Sequence, residues 1–154
     1  MTTADIQLRA AGPSDALAIA ELFMASRRDA LTYLPDLHTD DDTRHHFADV
    51  VMKRCAVWLA HDRGRIVGFM AWNAESVHLD HLYLLPGYYR RGIGSQLLDK
   101  AKILSGGKIL LYAFQRNARA RAFYERHGFR ATWFGDGAEN EEREPDVLYE
   151  WRRE

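Results

Sequence analysis

Residues 90–95 of this 154-residue chain read Arg-Arg-Gly-Ile-Gly-Ser and join a strand-like run to an amphipathic helix. Upstream, residues 77–84 favour a strand that ends before Pro86. Downstream of Gly92, apolar side chains recur at helical spacing until the glycine pair at 106–107 ends the helix. Glycines let the backbone approach a ligand, and the free N–H groups of a helix N-terminus attract an anion. The stretch therefore predicts a junction suited to a phosphate or pyrophosphate group.

This junction differs from two familiar phosphate-binding motifs. No Gly-Lys-Ser/Thr follows it, as in a nucleotide P-loop, and Leu97 occupies the third glycine position of the dinucleotide fingerprint. Arg90 and Arg91 add positive charge beside the glycines. Taken alone, the stretch fits an ordinary glycine-rich turn into a helix as well as it fits an anion site.

The rest of the chain predicts alternating strands and helices. Strands are expected at residues 6–10, 56–60, 66–72, 109–114, 131–134 and 147–151, and helices from Asp15 to near Arg28, from residues 39–42 to Val51, and at 117–127. Residues 62–64, Asp-Arg-Gly, predict a hairpin turn. This order favours a mixed α/β sheet, and the length favours one domain over residues 1–154.

A second pattern lies at residues 117–129, one strand after the glycine-rich junction. Asn117 and Tyr124 are seven residues apart, about two helical turns, so both side chains can face one ligand. Alone, the pattern fits a helix cap and a core tyrosine. In this order and across one strand, however, the two patterns together are specific.

Residues 82–86, 91–94 and 117–129 together closely resemble the GNAT superfamily of N-acetyltransferases. The resemblance is strong over about residues 76–134, and the order of elements fits over the whole chain. It implies an α/β fold with a mixed, mostly antiparallel sheet of about seven strands and about four flanking helices. It also implies that the sheet is splayed between its fourth and fifth strands.

The same resemblance implies which residues bind acetyl-CoA, the co-substrate of the family. The backbone of the fourth strand would pair with the pantetheine arm at Leu82, Tyr83 and Leu84. The pyrophosphate would contact the next loop and helix start, formed by Tyr89, Arg90, Arg91, Gly92, Ile93, Gly94 and Ser95. Tyr89 departs from the Gln or Arg that the family usually has at that position.

Two residues of the second pattern acquire roles in the same way. Asn117 matches the family asparagine that contacts the CoA arm, and Tyr124 matches the tyrosine that protonates the leaving thiolate. The chain has one cysteine, Cys55, with no evident partner base, so direct transfer in a ternary complex is expected.

The general base is expected on the fourth strand, which carries His78, Asp80 and His81. Strand alternation predicts that His78 and Asp80 share one face and that His81 lies on the other. His78, Asp80 or an intervening water is therefore expected to take the proton of the amine. Tyr112 on the fifth strand is not a base near neutral pH, given a reference pKa of about 10. No His/Cys spacing predicts a metal site.

Residues 136–146 form an acidic segment with six carboxylates and a single base, Arg143. A solvated surface explains such a run, and the functional alternative is a docking site for a cationic amine at Glu141 and Glu142. The expected acceptor is a small cationic primary amine. Protein N-termini or lysines remain an alternative, as does an acyl-CoA-binding module without turnover.

Composition argues against other classes of protein, namely nucleic-acid-binding, membrane and secreted proteins. The 21 basic and 22 acidic residues nearly cancel, so charge gives no case for a nucleic-acid partner. No apolar run approaches the ~20 residues that span a bilayer, and the first residues lack a signal-peptide pattern. A single cysteine fits a cytoplasmic protein. The sequence leaves the oligomeric state open, with a homodimer as one option.

Overall fold

The computed structural model describes residues 5–154, which are organised around a seven-stranded sheet. The strands are β1 (Ile6–Ala10), β2 (Ala56–Asp62), β3 (Arg65–Asn73), β4 (His78–Leu84), β5 (Lys108–Phe114), β6 (Arg130–Gly135) and β7 (Asp146–Arg152). Their spatial order is β1-β2-β3-β4-β5-β7-β6. Neighbours pair antiparallel except β4 and β5, which are parallel. The predicted mixed, mostly antiparallel sheet is confirmed.

Within the same range, four main helices flank the sheet: α1 (Ala16–Ala30), α2 (Asp40–His46), α3 (Ile93–Ser105) and α4 (Ala118–Arg126). Thr39 caps α2, because its hydroxyl accepts a hydrogen bond from the Asp42 N–H at 3.1 Å. The predicted end of that helix at Val51 is too early. The chain continues through a π-helical turn (Phe47–Val51) and a last α-helical turn (Met52–Arg54).

The sheet is open between its fourth and fifth strands. β4 and β5 share a single residue pair, His78 with Leu110, where the Leu110 N–H donates to the Val77 carbonyl at 2.9 Å. β5 pairs instead with β7 along its whole length. Beyond His78 the facing edges of β4 and β5 therefore lack each other as partners, and the predicted splay is confirmed.

Two apolar layers cover the sheet and fix its helices. On one side, α3 buries Ile93, Leu97 and Leu98 completely against the strands. On the other side, Ile19 of α1 and Phe47 after α2 pack against Leu59, Phe69 and their neighbours. Each fully buried side chain of this size contributes about 1.5–3 kcal/mol to folding. Across residues 5–154, the helices are too short or too polar for any of them to cross a membrane.

A β-bulge interrupts β4 at Asp80. Ala71 of β3 pairs with His81, and the next residue, Trp72, pairs with Leu79, so Asp80 is left between two partners. An extra residue in one strand bends it and disturbs the strict alternation of side chains. No residue type in the sequence marks this bulge, and it breaks the alternation on which the predicted faces of Asp80 and His81 depend.

Candidate functional site

The open edge of β4 presents backbone groups to the splay. The Leu85 N–H donates to the Val67 carbonyl of β3 at 2.8 Å, which directs Leu85 toward β3. Backbone groups alternate in direction along an antiparallel ladder. The N–H and C=O of Tyr83 therefore also point to β3, whereas those of Leu82 and Leu84 point into the gap. This edge is thus equipped to accept an added extended chain, as the sequence predicts for Leu82, Tyr83 and Leu84.

The loop after β4 delivers the chain to the start of α3. Gly92 precedes the helix in a left-handed conformation (φ 80°), and Arg90 is also left-handed (φ 63°). Among residues 5–154 no side-chain cap is present at the start of this helix, so its first N–H groups can bind another acceptor. Together with the positive end of the helix dipole, they form an arrangement that suits an anion.

The side chains of this loop and of the first turn of α3 mainly pack against neighbouring residues and so fix the position of the loop. Ile93 is fully buried, and a side chain at Gly94 would contact the Phe123 ring at 3.3 Å. The Ser95 hydroxyl lies 2.9 Å from His127 Nε2, and His127 Nδ1 lies 2.8 Å from the Phe123 carbonyl. Because a carbonyl oxygen can only accept, His127 Nδ1 donates to it. Any ligand at this loop would be held chiefly by backbone groups.

Two arginine-aromatic contacts give this side of the site positive charge. The Arg91 guanidinium lies 5.0 Å from the Tyr88 ring centroid, and Arg119 lies 4.3 Å from that of Tyr89. Tyr89 itself contributes a buried hydroxyl without a hydrogen-bond partner among residues 5–154. The aromatic rings thus orient two guanidinium groups beside the glycine-rich loop.

Helix α4 follows the splayed strand β5 and carries Tyr124, with Asn117 as the residue before its first turn. The Asn117 side-chain oxygen accepts the Ala120 N–H at 3.2 Å and so caps the helix. Tyr124 packs against Phe129 and Tyr149, and burial, with a smaller contribution from Tyr83, raises its pKa above the usual value. Its hydroxyl has no hydrogen-bond partner in the described part of the chain. Tyr124 therefore stays a neutral phenol with a proton to donate.

A cavity of about 600 Å³, here named the β4 cavity, opens between α1, α2, β4 and the loop joining β6 to β7. Aromatic rings and two polar groups from β4 form its inner wall: Phe23, Phe47, Asp80, His81, Tyr83 and Phe114. Exposed polar side chains, including His38 and Glu141, form its rim. The cavity reaches β4 from the face opposite α3.

The two predicted base candidates occupy different places. His78 lies at the closed end of the splay, outside the lining of the β4 cavity, where its ring stacks on Tyr112. Asp80 lines the cavity, and its Oδ2 accepts from Asn73 Nδ2 at 3.3 Å and from the Cys55 thiol at 3.6 Å. Both donors bind one carboxylate oxygen, and the other oxygen of Asp80 accepts no hydrogen bond from the described residues.

The predicted separation of Asp80 from His81 is wrong, because both residues line the β4 cavity. The bulge at Asp80 is the physical reason, since it breaks the two-residue repeat on which that prediction relies. The sequence interpretation named His81 but placed it on the face away from Asp80. Its spacing of two residues from Tyr83, which also lines the cavity, indicates a shared face.

The acidic loop supplies both predicted acceptor contacts to the β4 cavity. Glu141 and Glu142 line it, and Glu141 lies 3.0 Å from His38 Nε2 across the rim. The acidic loop is not solvated along its whole length. Glu144 is buried and accepts two hydrogen bonds from Arg116, at 2.7 and 2.9 Å. Arg116 also lies 4.2 Å from the Tyr33 ring centroid. These contacts attach the loop to the rest of the site.

A second cavity of about 710 Å³ lies on the other side of the same loop, toward the edge of the sheet. Exposed rings of Tyr112, Trp133 and Phe134 line it together with carboxylates of the loop. Phe114 and Glu142 line both cavities, so the two adjoin. The described residues contain no group of three metal-ligating side chains.

The chain is similar in sequence to proteins named as N-acetyltransferases. An uncharacterized N-acetyltransferase of Mycobacterium tuberculosis is 34% identical over 84 residues, which span 50% of this chain and 54% of that protein. The peptidyl-lysine N-acetyltransferase YjaB of Salmonella typhimurium is 34% identical over 77 residues, or 49% of this chain and 51% of that protein. The chain thus spans about half the length of these curated relatives.

The fold has counterparts among solved structures. The PaiA N-acetyltransferase of Thermoplasma acidophilum, in complex with coenzyme A, superposes with a TM-score of 0.79 at 18% identity. The alignment covers 96% of this chain and 99% of that one. The family model described as the acetyltransferase (GNAT) domain matches residues 53–131, which include the splayed strands, the glycine-rich loop and α4. The chain belongs to the GNAT family of acetyltransferases.

Proposed function

We propose that the chain transfers an acetyl group from acetyl-CoA to a primary amine, with both substrates bound together. The observation that carries the proposal is the open edge of β4, which the structure combines with a helix N-terminus without a side-chain cap and with the partly buried Tyr124. An extended, anionic thioester fits that combination of groups. The GNAT membership of the chain supports the same assignment.

In this proposal the two ends of acetyl-CoA meet different groups. Leu82 and Leu84 pair with the amides of the pantetheine arm, in the manner of an added strand. The first N–H groups of α3, with Arg90 and Arg91, hold the pyrophosphate. Asn117 has a side-chain NH₂ group for the arm, because only its oxygen caps α4. Tyr89, Ile93, Gly94 and Ser95 serve this site through packing and backbone groups.

The chain supplies an acid and a base on opposite sides of the reacting carbon. Asp80, directly or through water, takes the proton of the amine, whose nitrogen then forms the new bond to the acetyl carbon. A β4 N–H at the splay stabilises the oxyanion, an effect worth ~3 kcal/mol for one good donor. Tyr124 donates its proton to the sulfur as the carbon–sulfur bond breaks.

Direct transfer fits the state of the cysteine. Burial raises the pKa of Cys55 to about 12, and the adjacent Asp80 adds to that effect. Such a thiol remains protonated near neutral pH, whereas the thiolate is the nucleophilic form. Cys55 therefore supports Asp80 as a hydrogen-bond donor and carries no acetyl group. His78 stays a second candidate for the base, acting through water.

The proposed acceptor is a small cationic amine. Glu141 and Glu142 at the rim attract a positive charge toward the β4 cavity, which is on the face opposite α3. A protein amine is the second candidate. It is supported by the relative named as a peptidyl-lysine N-acetyltransferase and by the adjoining second cavity, which offers room for a chain beyond the amine.

The test measures binding and turnover separately. Calorimetry gives the affinity for acetyl-CoA, and thiol release with mass spectrometry of the products gives transfer to small amines and to a lysine-containing peptide. Transfer to small amines supports the proposal, and transfer only to the peptide replaces it with the second candidate. Tight acetyl-CoA binding without transfer to any amine would overturn both and leave a binding module.

A further inference from the structure

The strongest unexplained feature of the molecule is the imidazole of His81. It lines the β4 cavity, and its Nδ1 is buried without a hydrogen-bond partner among the described residues. Buried polar groups in proteins almost always have a partner, because leaving one unpaired destabilises the fold. Because Nδ1 is closed to solvent, the ring nitrogen that a ligand in the β4 cavity can reach is Nε2, which also has no hydrogen-bond partner among the described residues. A ligand in the cavity can pair with that nitrogen.

The surroundings of His81 are almost entirely aromatic. Its ring centroid lies 5.2 Å from that of Phe47, 5.5 Å from Phe23, 6.0 Å from Tyr83 and 6.1 Å from Phe69. These rings come from α1, the π-helical turn after α2, β3 and β4. The imidazole therefore lies in apolar surroundings, and Asp80 is the other polar group that β4 gives to the inner wall.

His81 is uncharged in this environment near neutral pH. Burial lowers its pKa to about 4, and the nearby His46 contributes in the same direction. A neutral imidazole has one nitrogen that accepts a hydrogen bond, whereas the charged form only donates and repels a cation. The residue can therefore receive an N–H group of an amine.

We propose that His81 determines acceptor specificity by accepting a hydrogen bond from the reacting amine, and that the acceptor is a primary monoamine on an apolar stem. This inference rests on the proposed function. The stem packs against Phe23 and Phe47, and the nitrogen lies between His81 and Asp80 at β4. Carboxylates at the rim attract the ammonium form, and the apolar interior then favours the neutral amine that attacks the thioester.

The decisive variant is His81→Phe, because phenylalanine keeps an aromatic ring among aromatic neighbours and removes only the nitrogens. With phenethylamine as acceptor, KM should rise about tenfold or more, while acetyl-CoA affinity stays within about twofold. The melting temperature should be unchanged or higher, because the unpaired nitrogen is gone. His45→Phe, an exposed position on α2 outside the cavity, is the control and should leave KM unchanged.

Two further measurements keep the inference falsifiable. In the wild-type protein with CoA, phenethylamine should shift the imidazole ¹⁵N resonances of His81, and kcat/KM should be higher for phenethylamine than for putrescine, a dication. An unchanged KM in folded His81→Phe, an unperturbed His81 resonance or a preference for putrescine would each overturn it. These outcomes leave the proposed function intact, because it fails only if small amines are not acetylated.

Discussion

The two halves of the site differ in the chemical groups that they present to a ligand. The half proposed for acetyl-CoA consists of the open β4 edge and the start of α3, and it offers mostly backbone groups. The β4 cavity on the opposite face is formed by side chains from α1, α2, β4 and the β6–β7 loop. One half therefore depends on backbone conformation and the other on which side chains meet.

This difference determines how each half of the site responds to amino-acid substitutions. Backbone N–H groups are the same in every sequence, so the first half requires only residues that permit the conformation, such as Gly92 at φ 80°. The second half depends on contacts between distant segments, such as His38 with Glu141. Substitutions should accordingly separate into effects on acetyl-CoA and effects on the acceptor.

The largest effect is expected at Tyr124, the proposed acid. Tyr124→Phe removes the acid and keeps the ring, so kcat should fall ~10²-fold, at the low end of the range for acid–base groups, because a thiolate leaves with modest help. Acetyl-CoA affinity should be retained. Steady-state kinetics and calorimetry on the purified variant measure the two quantities.

Tyr149→Phe is the matched control for that variant. Tyr149 is a fully buried tyrosine whose ring lies 6.3 Å from that of Tyr124, and its hydroxyl donates to Glu125 at 2.6 Å. Its loss should lower the melting temperature and leave kcat within about threefold. If both variants lost activity equally, Tyr124 would be a packing residue.

The next effect tests the backbone half at Gly92. Gly92→Ala places an L-residue in the left-handed region, which costs about 1–2 kcal/mol, and should weaken acetyl-CoA binding roughly tenfold. Gly106→Ala is matched, because Gly106 ends the same helix with φ 72° and open space around it. Both should be destabilised in chemical denaturation, but only the first should bind acetyl-CoA more weakly. Equal affinities would contradict the anion site.

A smaller effect is expected at the rim of the β4 cavity. Replacing Glu141 and Glu142 with Gln should raise the acceptor KM about two- to fivefold, since exposed charge interactions are worth roughly 0.2–1 kcal/mol. Acetyl-CoA affinity should not change, and kcat/KM should depend less on salt. Kinetics at low and high ionic strength measure these changes. Unchanged acceptor kinetics would mean that both residues belong to a solvated surface and do not bind the acceptor.

The smallest effect concerns the attachment of the acidic loop through Glu144. The Arg116 guanidinium lowers the pKa of this carboxyl below its usual value of 4.5. The ion pair therefore stabilises the fold above that pH, and its contribution is lost as pH falls through the lowered pKa. Glu144→Gln should reduce the melting temperature by on the order of 2 °C near neutral pH, with no difference in strong acid. A constant difference at every pH would exclude the ion pair as its cause.

The same division explains how much could be predicted from the sequence. The glycine-rich junction and the Asn117 to Tyr124 spacing are local patterns, so the start of α3 was predictable, and the resemblance that they carry implied the mixed sheet and its splay. The bulge at Asp80 depends on how β3 and β4 pair, and no residue type marks it. The position of His81 and the burial of Glu144 depend on distant partners, which spacing does not reveal.

Amide hydrogen exchange of β4, with and without saturating acetyl-CoA, tests the central claim most directly. Leu82 and Leu84 face the splay, so their amides should exchange more slowly once the pantetheine arm pairs with them. Residues 137–142 of the acidic loop should be unaffected by acetyl-CoA alone. Unchanged exchange at Leu82 and Leu84, with protection of the acidic loop instead, would contradict the assignment of the two halves.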